Sequence, residues 1–367
     1  MLRTTLLSLG TILAAAGCEK LPELPLGGTS DSVNRSTTDP VGHSAGDPSP
    51  PQSPKTDPST QVANTPSKPV QPPTPVQPPT PEQIINAFRQ KKTTRLTETD
   101  ILELAGLETG LDQIEELDLK GSRLSPAAMS ALEKFTGLKK LDLQAASFGG
   151  GHLQGISTLP ALEWLDLSRT ATNNVELEHV AQITTLKVLK LNQTVINDAG
   201  IGQFTKLAAL EELDISGTET VGLGLAALGK EGAKSPLKII RASHTRLGAQ
   251  GFRFVNQFSL EELHASKAMV TDLSVMGLKG CTKLKVLNLS NNLLTDRSAK
   301  WLVSSKILEE IDLSDNRGIS DGTILKLQTL SALSKLDLTK TGSSAKGIQR
   351  LKKKLPDCTV KIDGRTL

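Results

Sequence analysis

The sequence predicts an α/β solenoid, with a curved parallel sheet on one side and short helices on the other, and three observations carry that prediction. The frame L-x-x-L-x-L recurs ten times, beginning at Ile114, Leu138, Leu162, Leu186, Leu210, Leu237, Leu260, Leu284, Leu308 and Leu333, at intervals of 23 to 27 residues. Within a frame such as Leu162-Glu163-Trp164-Leu165-Asp166-Leu167, apolar and polar residues alternate with the period of a half-buried strand. Behind four frames stand helix-start residues: Ser125-Pro126, Asn197-Asp198-Ala199-Gly200, Thr295-Asp296-Arg297-Ser298 and Ser320-Asp321-Gly322, opening runs such as Ala299, Leu302 and Val303.

One short strand and its return segment cannot bury an apolar face alone, whereas stacked neighbours share a continuous core. The period and the frame are those of leucine-rich repeats, about ten of them. Alternation turns the leucines inward and leaves the intervening residues on the concave face of the sheet. The ninth position of each frame reads Ser122, Ala146, Thr170, Thr194, Thr218, Thr245, Ala268, Asn292, Asn316 and Thr341. Asparagine there bonds neighbouring backbone, and threonine can do part of that work. Ala242 and Ala265 replace the third leucine of two frames, where Phe252, Phe254 and Phe258 are available to fill the space.

Threonine at the asparagine position followed by Asp-Ala-Gly resembles the short-repeat leucine-rich proteins of planctomycete-type bacteria, over residues 114 to about 362. The resemblance implies an architecture and says almost nothing of a ligand, because such scaffolds host unrelated partners.

The start of the chain carries a second signal. Arg3 is a positive n-region, Leu6 to Ala16 an apolar stretch too short to span a bilayer, and Ala15-Ala16-Gly17 a small-residue cleavage site. Cys18 follows at once. This resembles a bacterial lipobox, apart from Ala15 where leucine is usual, and the resemblance implies a lipidated Cys18. An ordinary secretory signal cleaved near Gly17 is the plainer alternative. The expected layout is a signal peptide over 1–17, the lipidated cysteine and a disordered stalk over 18–81, an N-terminal cap over 82–113, repeats over 114–355 and a C-terminal cap over 356–367. Residues 19–81 hold 16 of the 20 prolines and no aromatic residue. Such a stalk reaches ~200 Å as polyproline II or ~45 Å as a flexible coil. Thr80-Pro81-Glu82-Gln83 reads as a capped helix start, and Val360 and Ile362 as a closing edge strand. Cys281 and Cys358 lie about three repeats apart, too far for a disulfide, and read as buried small hydrophobes.

The formal charge of +3 speaks against a polyanion partner for most of the domain, and no nucleic acid is expected. The basic residues concentrate at the end: Lys340, Lys346, Arg350, Lys352, Lys353, Lys354, Lys361 and Arg365 face only Asp357 and Asp363. The bland reading is a solvated last helix, the sharper one contact with an anionic surface.

On the concave face the second frame position alternates Glu115, Lys139, Glu163, Lys187, Glu211, Lys238, Glu261, Lys285, Glu309 before ending at Ser334. Side chains stacked ~4.8 Å apart would each meet an opposite charge on both sides, which assigns this column to register. The third, fifth and eighth columns are less regular. Their middle offers Trp164, Val188 and Ile239 in the third column, with Val286 beyond, Lys190, Arg241 and His264 in the fifth, and Arg169, His244 and Lys267 in the eighth. An aromatic beside aliphatic groups and a cationic strip is the composition of a binding hot spot. The interval of 27, with Gly222, Gly224, Gly229 and Gly232, falls in the same place.

No metal site is expected, since His244 and His264 lack a companion carboxylate or cysteine set at ligand spacing, and no cofactor. Ser314-Asp315-Asn316, Lys340-Thr341-Gly342 and Ser343-x-x-Lys346 mimic motifs of penicillin-recognising serine enzymes, but in the wrong order and at repeat positions the solenoid explains. The expectation is therefore a binding protein and not an enzyme: a lipid-anchored extracytoplasmic scaffold engaging a protein or an envelope polymer through its concave face. Localisation is to the cell envelope, with the outer membrane preferred because Glu19 is not the aspartate of inner-membrane retention. The alternative is a structural envelope protein that uses its convex or terminal surfaces.

Overall fold

The computed structural model describes residues 79–90, 96–149, 152–228 and 235–367. The signal peptide, Cys18, the stalk up to residue 78, and Gly229 and Gly232 lie outside the described residues. The frames supply short strands at their third to fifth positions: β1 (Glu116–Asp118), β2 (Lys140–Asp142), β3 (Trp164–Asp166), β4 (Val188–Lys190), β5 (Glu212–Asp214), β6 (Ile239–Arg241), β7 (Glu262–His264), β8 (Val286–Asn288), β9 (Glu310–Asp312) and β10 (Lys335–Asp337). They form one sheet in sequence order. Each pairs in parallel with the next, and β11 (Thr359–Ile362) continues the parallel run. The two-residue β12 (Arg365–Thr366) turns back antiparallel on β11, so the chain ends in a small hairpin where the sequence promised a single edge strand.

Register places the fourth frame residues, from Leu117 through Leu213 and Leu263 to Leu336, in one column, all of them within 2% of complete burial. Burying each such side chain contributes roughly 1.5–3 kcal/mol, and only a stack makes that burial complete. Ala242 and Ala265 are fully buried, and Phe252, Val255 and Phe258 of the following segment are buried in the same core, whereas Phe254 packs against it only partly buried. Cys281 and Cys358 are buried free thiols, and burial pushes Cys281 up to about 11.

The return segments are short helices and 3-10 turns. The α-helices are α1 (Pro81–Gln90), α2 (Glu98–Ala105), α3 (Pro126–Ala131), α4 (Leu177–Val180), α5 (Asp198–Ile201), α6 (Leu225–Leu228), α7 (Ala299–Leu302), α8 (Asp321–Leu327) and α9 (Ala345–Lys354). Ser125, Asn197 and Ser320 cap α3, α5 and α8 through their side chains, and Thr295 caps the 3-10 turn ahead of α7, as the sequence indicates. Ahead of the first frame, Thr80 and Gln83 exchange capping bonds at α1, and Thr97 and Asp100 do so at α2. Ile101, Leu104 and Ala105 of α2 enter the core.

The ninth column explains how successive turns are tied. Thr170, Thr194, Thr218, Thr245 and Thr341 each donate to the carbonyl three residues back, at 2.6–2.7 Å, and so hold only their own repeat. Asn292 does more. Its amide donates to Leu289 at 2.9 Å, to Ser290 and to Ala265 of the preceding repeat at 2.8 Å, while Oδ1 accepts from Ala268 and Val270. Asn316 repeats the pattern toward Leu289 and Leu294.

A second tie runs on the helical side. The Asp296 carboxylate accepts from the Ser320 amide at 2.8 Å, the Ser320 hydroxyl, the Thr323 amide at 2.9 Å and the Thr323 hydroxyl at 2.6 Å, all one repeat on. Asp321 accepts likewise from Ser344, Asp272 from Thr295, and Asp198 from the amides of Val221 and Gly224. The sequence marks Asp198, Asp296 and Asp321 as helix-start residues; their bonds reach the next helix start as well.

Candidate functional site

The concave face is built from the outward third and fifth frame positions, and the fifth position has a local task. In seven repeats its side-chain oxygen accepts from the amide two residues on: Asp118, Asp142, Asp166, Asp214, Asn288, Asp312 and Asp337. Each bond holds the turn that ends the strand. The remaining three positions are Lys190 and Arg241, which have no acceptor atom, and His264, whose ring does not take this bond, the Ser266 amide donating instead to the Ser243 hydroxyl at 3.3 Å. The basic residues singled out by sequence are therefore those that give up a structural bond.

They do not form a continuous cationic strip. Asp214 stands in register between Lys190 and Arg241, and Glu212 between Val188 and Ile239. Arg241 lies between two glutamates, with Nε 3.3 Å from Glu212 and Nη2 3.2 Å from Glu262, and His264 Nε2 is 3.3 Å from the same Glu262 oxygen. Sequence reasoning missed these acidic third-column residues beside the apolar ones, and they turn the strip into a balanced network. Trp164 is half-buried with Lys140 Nζ at 5.2 Å and Lys190 Nζ at 5.0 Å from its ring centroid. Two ammonium groups thus cover the aromatic expected to lie open. Val188 is its in-register neighbour, and Arg241 and His264 are neighbours in the same sense.

The eighth column belongs to the turn. Arg169, His244 and Lys267 are exposed, and each has a positive φ, of 59°, 58° and 50°. The same holds for Ala145, Gln193, Asn291, Asp315 and Lys340, with glycine at 121 and 217, so the whole column is left-handed. The second column also departs from expectation. Ion pairs close between Glu115 and Lys139, Glu163 and Lys187, Glu211 and Lys238, and Glu261 and Lys285, at 2.7–3.2 Å. Each lysine turns to the preceding glutamate, so among the described residues the charges join in pairs across alternate gaps and not on both sides. A flexible lysine meets one partner well more readily than two at once.

A shallow depression of about 250 Å³ lies farther along the sheet, over β7 to β11. Val286, Glu310, Asp312, Lys335 and Asp337 line it, with Leu287, Ile311 and Leu336 also in its wall. Of the third-, fifth- and eighth-column residues that the sequence singles out, His264 and Val286 border it, and the others do not. The depression does have a signal in the sequence, the acidic end of the fifth column, but no aromatic residue accompanies it as one does in the middle of the face.

Electrostatics separate the two ends of the face. Asp118, Asp142 and Asp166 stack in register. Burial pushes the Asp166 carboxyl above its ordinary value, Ser168 opposes that through two hydrogen bonds, and Asp142 adds repulsion that Lys190 partly offsets. Among the described residues no group of three or more histidine, cysteine or acidic side chains could hold a metal. The serine-enzyme triplets are absorbed by the turns. Ser314 Oγ bonds Asp312 at 2.7 Å, Asn316 is fully buried on backbone carbonyls, and Lys340 is paired with Asp315 at 3.1 Å.

Residues 259–317 match the family described as leucine rich repeat, a stretch that contains both Asn292 and Asn316. In three dimensions the chain is similar to an internalin of Listeria monocytogenes, at 18% identity over 77% of this chain and 94% of that one, with a TM-score of 0.51. The domain has the leucine-rich repeat fold. The chain is likewise similar to the mouse RP105/MD-1 complex, at 18% identity over 73% of this chain and 49% of that one, with a TM-score of 0.50. No curated protein matches the sequence. The leucine-rich repeats outside the matched stretch carry threonine, serine or alanine at the ninth position, which is where they depart from the asparagine pattern.

Proposed function

We propose that this leucine-rich repeat domain is a protein-binding scaffold whose concave face docks its partner through β3 to β7. The observation that carries the reading is the loss of the turn-holding oxygen at Lys190, Arg241 and His264, within a sheet that keeps it elsewhere. A side chain that holds no turn can exchange its ion pair within the sheet for one with a partner, and arginine and tryptophan are the residues that anchor interfaces. The Glu212–Arg241–Glu262–His264 network presents both signs of charge, which suits a mixed polar protein surface better than a polyanion. A structure solved as a complex, RP105 with MD-1, shares the fold and supports a partner-binding role by analogy.

We further propose that the chain is exported and lipidated at Cys18, so that the domain stands off a membrane of the cell envelope on a proline-rich stalk. The Arg3 n-region, the apolar stretch and Ala15-Ala16-Gly17-Cys18 support this.

The test retains partners from an envelope extract on the immobilised full chain, beside Trp164→Ala and an Arg241→Glu, His264→Glu double variant. Loss of the same retained protein in both variants is the expected result. Unchanged retention in both, with thermal midpoints preserved, would move the interaction off the concave face.

A further inference from the structure

We infer that the outer face of α9 is an electrostatic docking surface for an anionic bilayer. Lys346, Arg350, Lys353 and Lys354 are all exposed, and among the described residues none of the four takes part in an ion pair within 4.0 Å. The opposite face of α9 is fixed. Gly347, Ile348 and Leu351 are buried, and Ser344 caps the helix while bonding Asp321. The helix therefore cannot roll its cations away from solvent. The acids nearby are occupied or few: Asp321 is held by Ser344 with a contribution from the Arg350 charge, and Asp363 accepts from the Lys340 amide.

Helix stability accounts for only part of these charges: Lys353 and Lys354 lie in the last turn, where the dipole favours them, but Lys346 and Arg350 do not. Cations favour the last turn of a helix, and Lys352 does serve there, donating to the carbonyls of Pro356 and Cys358 at 2.8 and 3.0 Å. Lys346 is in the first turn, where the dipole opposes it. Lys346 and Arg350, and Arg350 and Lys354, are like charges four residues apart, a spacing at which repulsion destabilises a helix. The charges at Lys346 and Arg350, which the helix itself opposes, point to an external counter-charge.

The shape and composition select a surface over a strand. Residues 340–367 contain no aromatic residue on which bases could stack. The cations spread over a helix on the convex side and not along a groove, so a planar array of headgroups can meet them together. Each basic side chain near such a surface adds to the attraction, which salt screens.

The test uses the full chain carrying Cys18→Ser, which removes any lipid, co-sedimented with phosphatidylcholine vesicles alone or with about 30% phosphatidylglycerol. Binding to the anionic vesicles should be at least about tenfold tighter and should fall as salt rises from roughly 50 to 300 mM. Lys346→Glu, Arg350→Glu, Lys353→Glu and Lys354→Glu together should abolish it. The corresponding four-glutamine variant, which relieves repulsion instead of inverting it, should lose binding with its thermal midpoint unchanged or raised. Equal binding by the glutamine variant and its parent overturns the inference. So does capture of soluble polyphosphate without vesicle binding, which would assign the face to a linear polymer. Trp164→Ala should leave vesicle binding intact, which separates this surface from the concave one.

Discussion

The Asp296 carboxylate occupies the space that a side chain on Gly322 would need: a β-carbon there would lie 2.5 Å from Oδ2. Asp321 and Gly347 repeat the relationship one turn of the solenoid later, at 2.2 Å. Glycine near the start of a return helix thus admits the carboxylate of the preceding repeat, which gives Gly322 and Gly347 a physical reason. Gly322→Ala should cost about 1–3 kcal/mol, because the methyl displaces a carboxylate that holds four donors. Urea unfolding of the variant checks this, and a cost comparable to an exposed alanine substitution would refute the account.

The same carboxylates set an acid limit. Burial works against ionisation of Asp296, but the hydroxyls and amides of Ser320 and Thr323 outweigh it and hold the carboxyl below its ordinary value. Hydrogen bonds from Ser344 do the same for Asp321. A group depressed on folding contributes its stability above the unfolded aspartate value, near ~3.9, and loses it as pH falls through the folded value. Asp296→Asn should therefore lower stability at pH 7 and flatten the acid limb of the stability curve below about pH 4. Unfolding midpoints across pH for both proteins decide it.

Asp166 has the opposite sign. Its carboxyl is raised on folding, first by burial. Whatever stability this confers is complete below the unfolded value and is lost as pH rises through the folded one, so the ionised group is a burden near neutrality. Repeat eight shows the remedy, since Asn288 makes the same turn bond to Ser290 at 3.0 Å without a charge. Asp166→Asn should be neutral or stabilising at pH 7 by up to about 1 kcal/mol, with the gain vanishing in acid. Destabilisation at neutral pH would show that Lys190 contributes more to Asp166 than burial removes.

The two kinds of ninth residue should differ in what they cost to remove. Asn316→Ala takes hydrogen bonds from the buried Leu313 carbonyl and from the Leu294 amide of the preceding repeat and should cost about 2–4 kcal/mol, whereas Thr194→Val removes one bond within its repeat and should cost about 1 kcal/mol. Equal costs, measured by denaturant melts, would mean that the ladder from Asn292 to Asn316 adds nothing beyond the local turn.

The stack, its register and the helix caps are legible in the sequence because each repeats with the chain's own period: a leucine or isoleucine at every fourth frame position has only one way to be buried. The concave surface is less legible because its columns mix roles. Asp142 and Asp312 share a column with Lys190, Arg241 and His264 but are turn acceptors, and Glu212 and Glu262 carry no distinguishing signal although they hold Arg241 on either side. Side-chain pairing across a sheet depends on which of two neighbours a long chain chooses, as Lys139 chooses Glu115, and no periodicity encodes that choice.

Lys267 tests the line between structure and function on this face. At φ 50° it adopts a conformation that costs a residue with a β-carbon roughly 1–2 kcal/mol, while glycine occupies positions 121 and 217 of the same column without that cost. Glycine gains part of this back in the unfolded chain, so Lys267→Gly should stabilise by about 0.5–1 kcal/mol. If its ammonium also touches the partner, the same variant should bind more weakly while melting higher, and thermal unfolding beside partner retention reads both at once. A variant that melts higher and binds equally well would remove Lys267 from the interface and leave it as a turn residue alone.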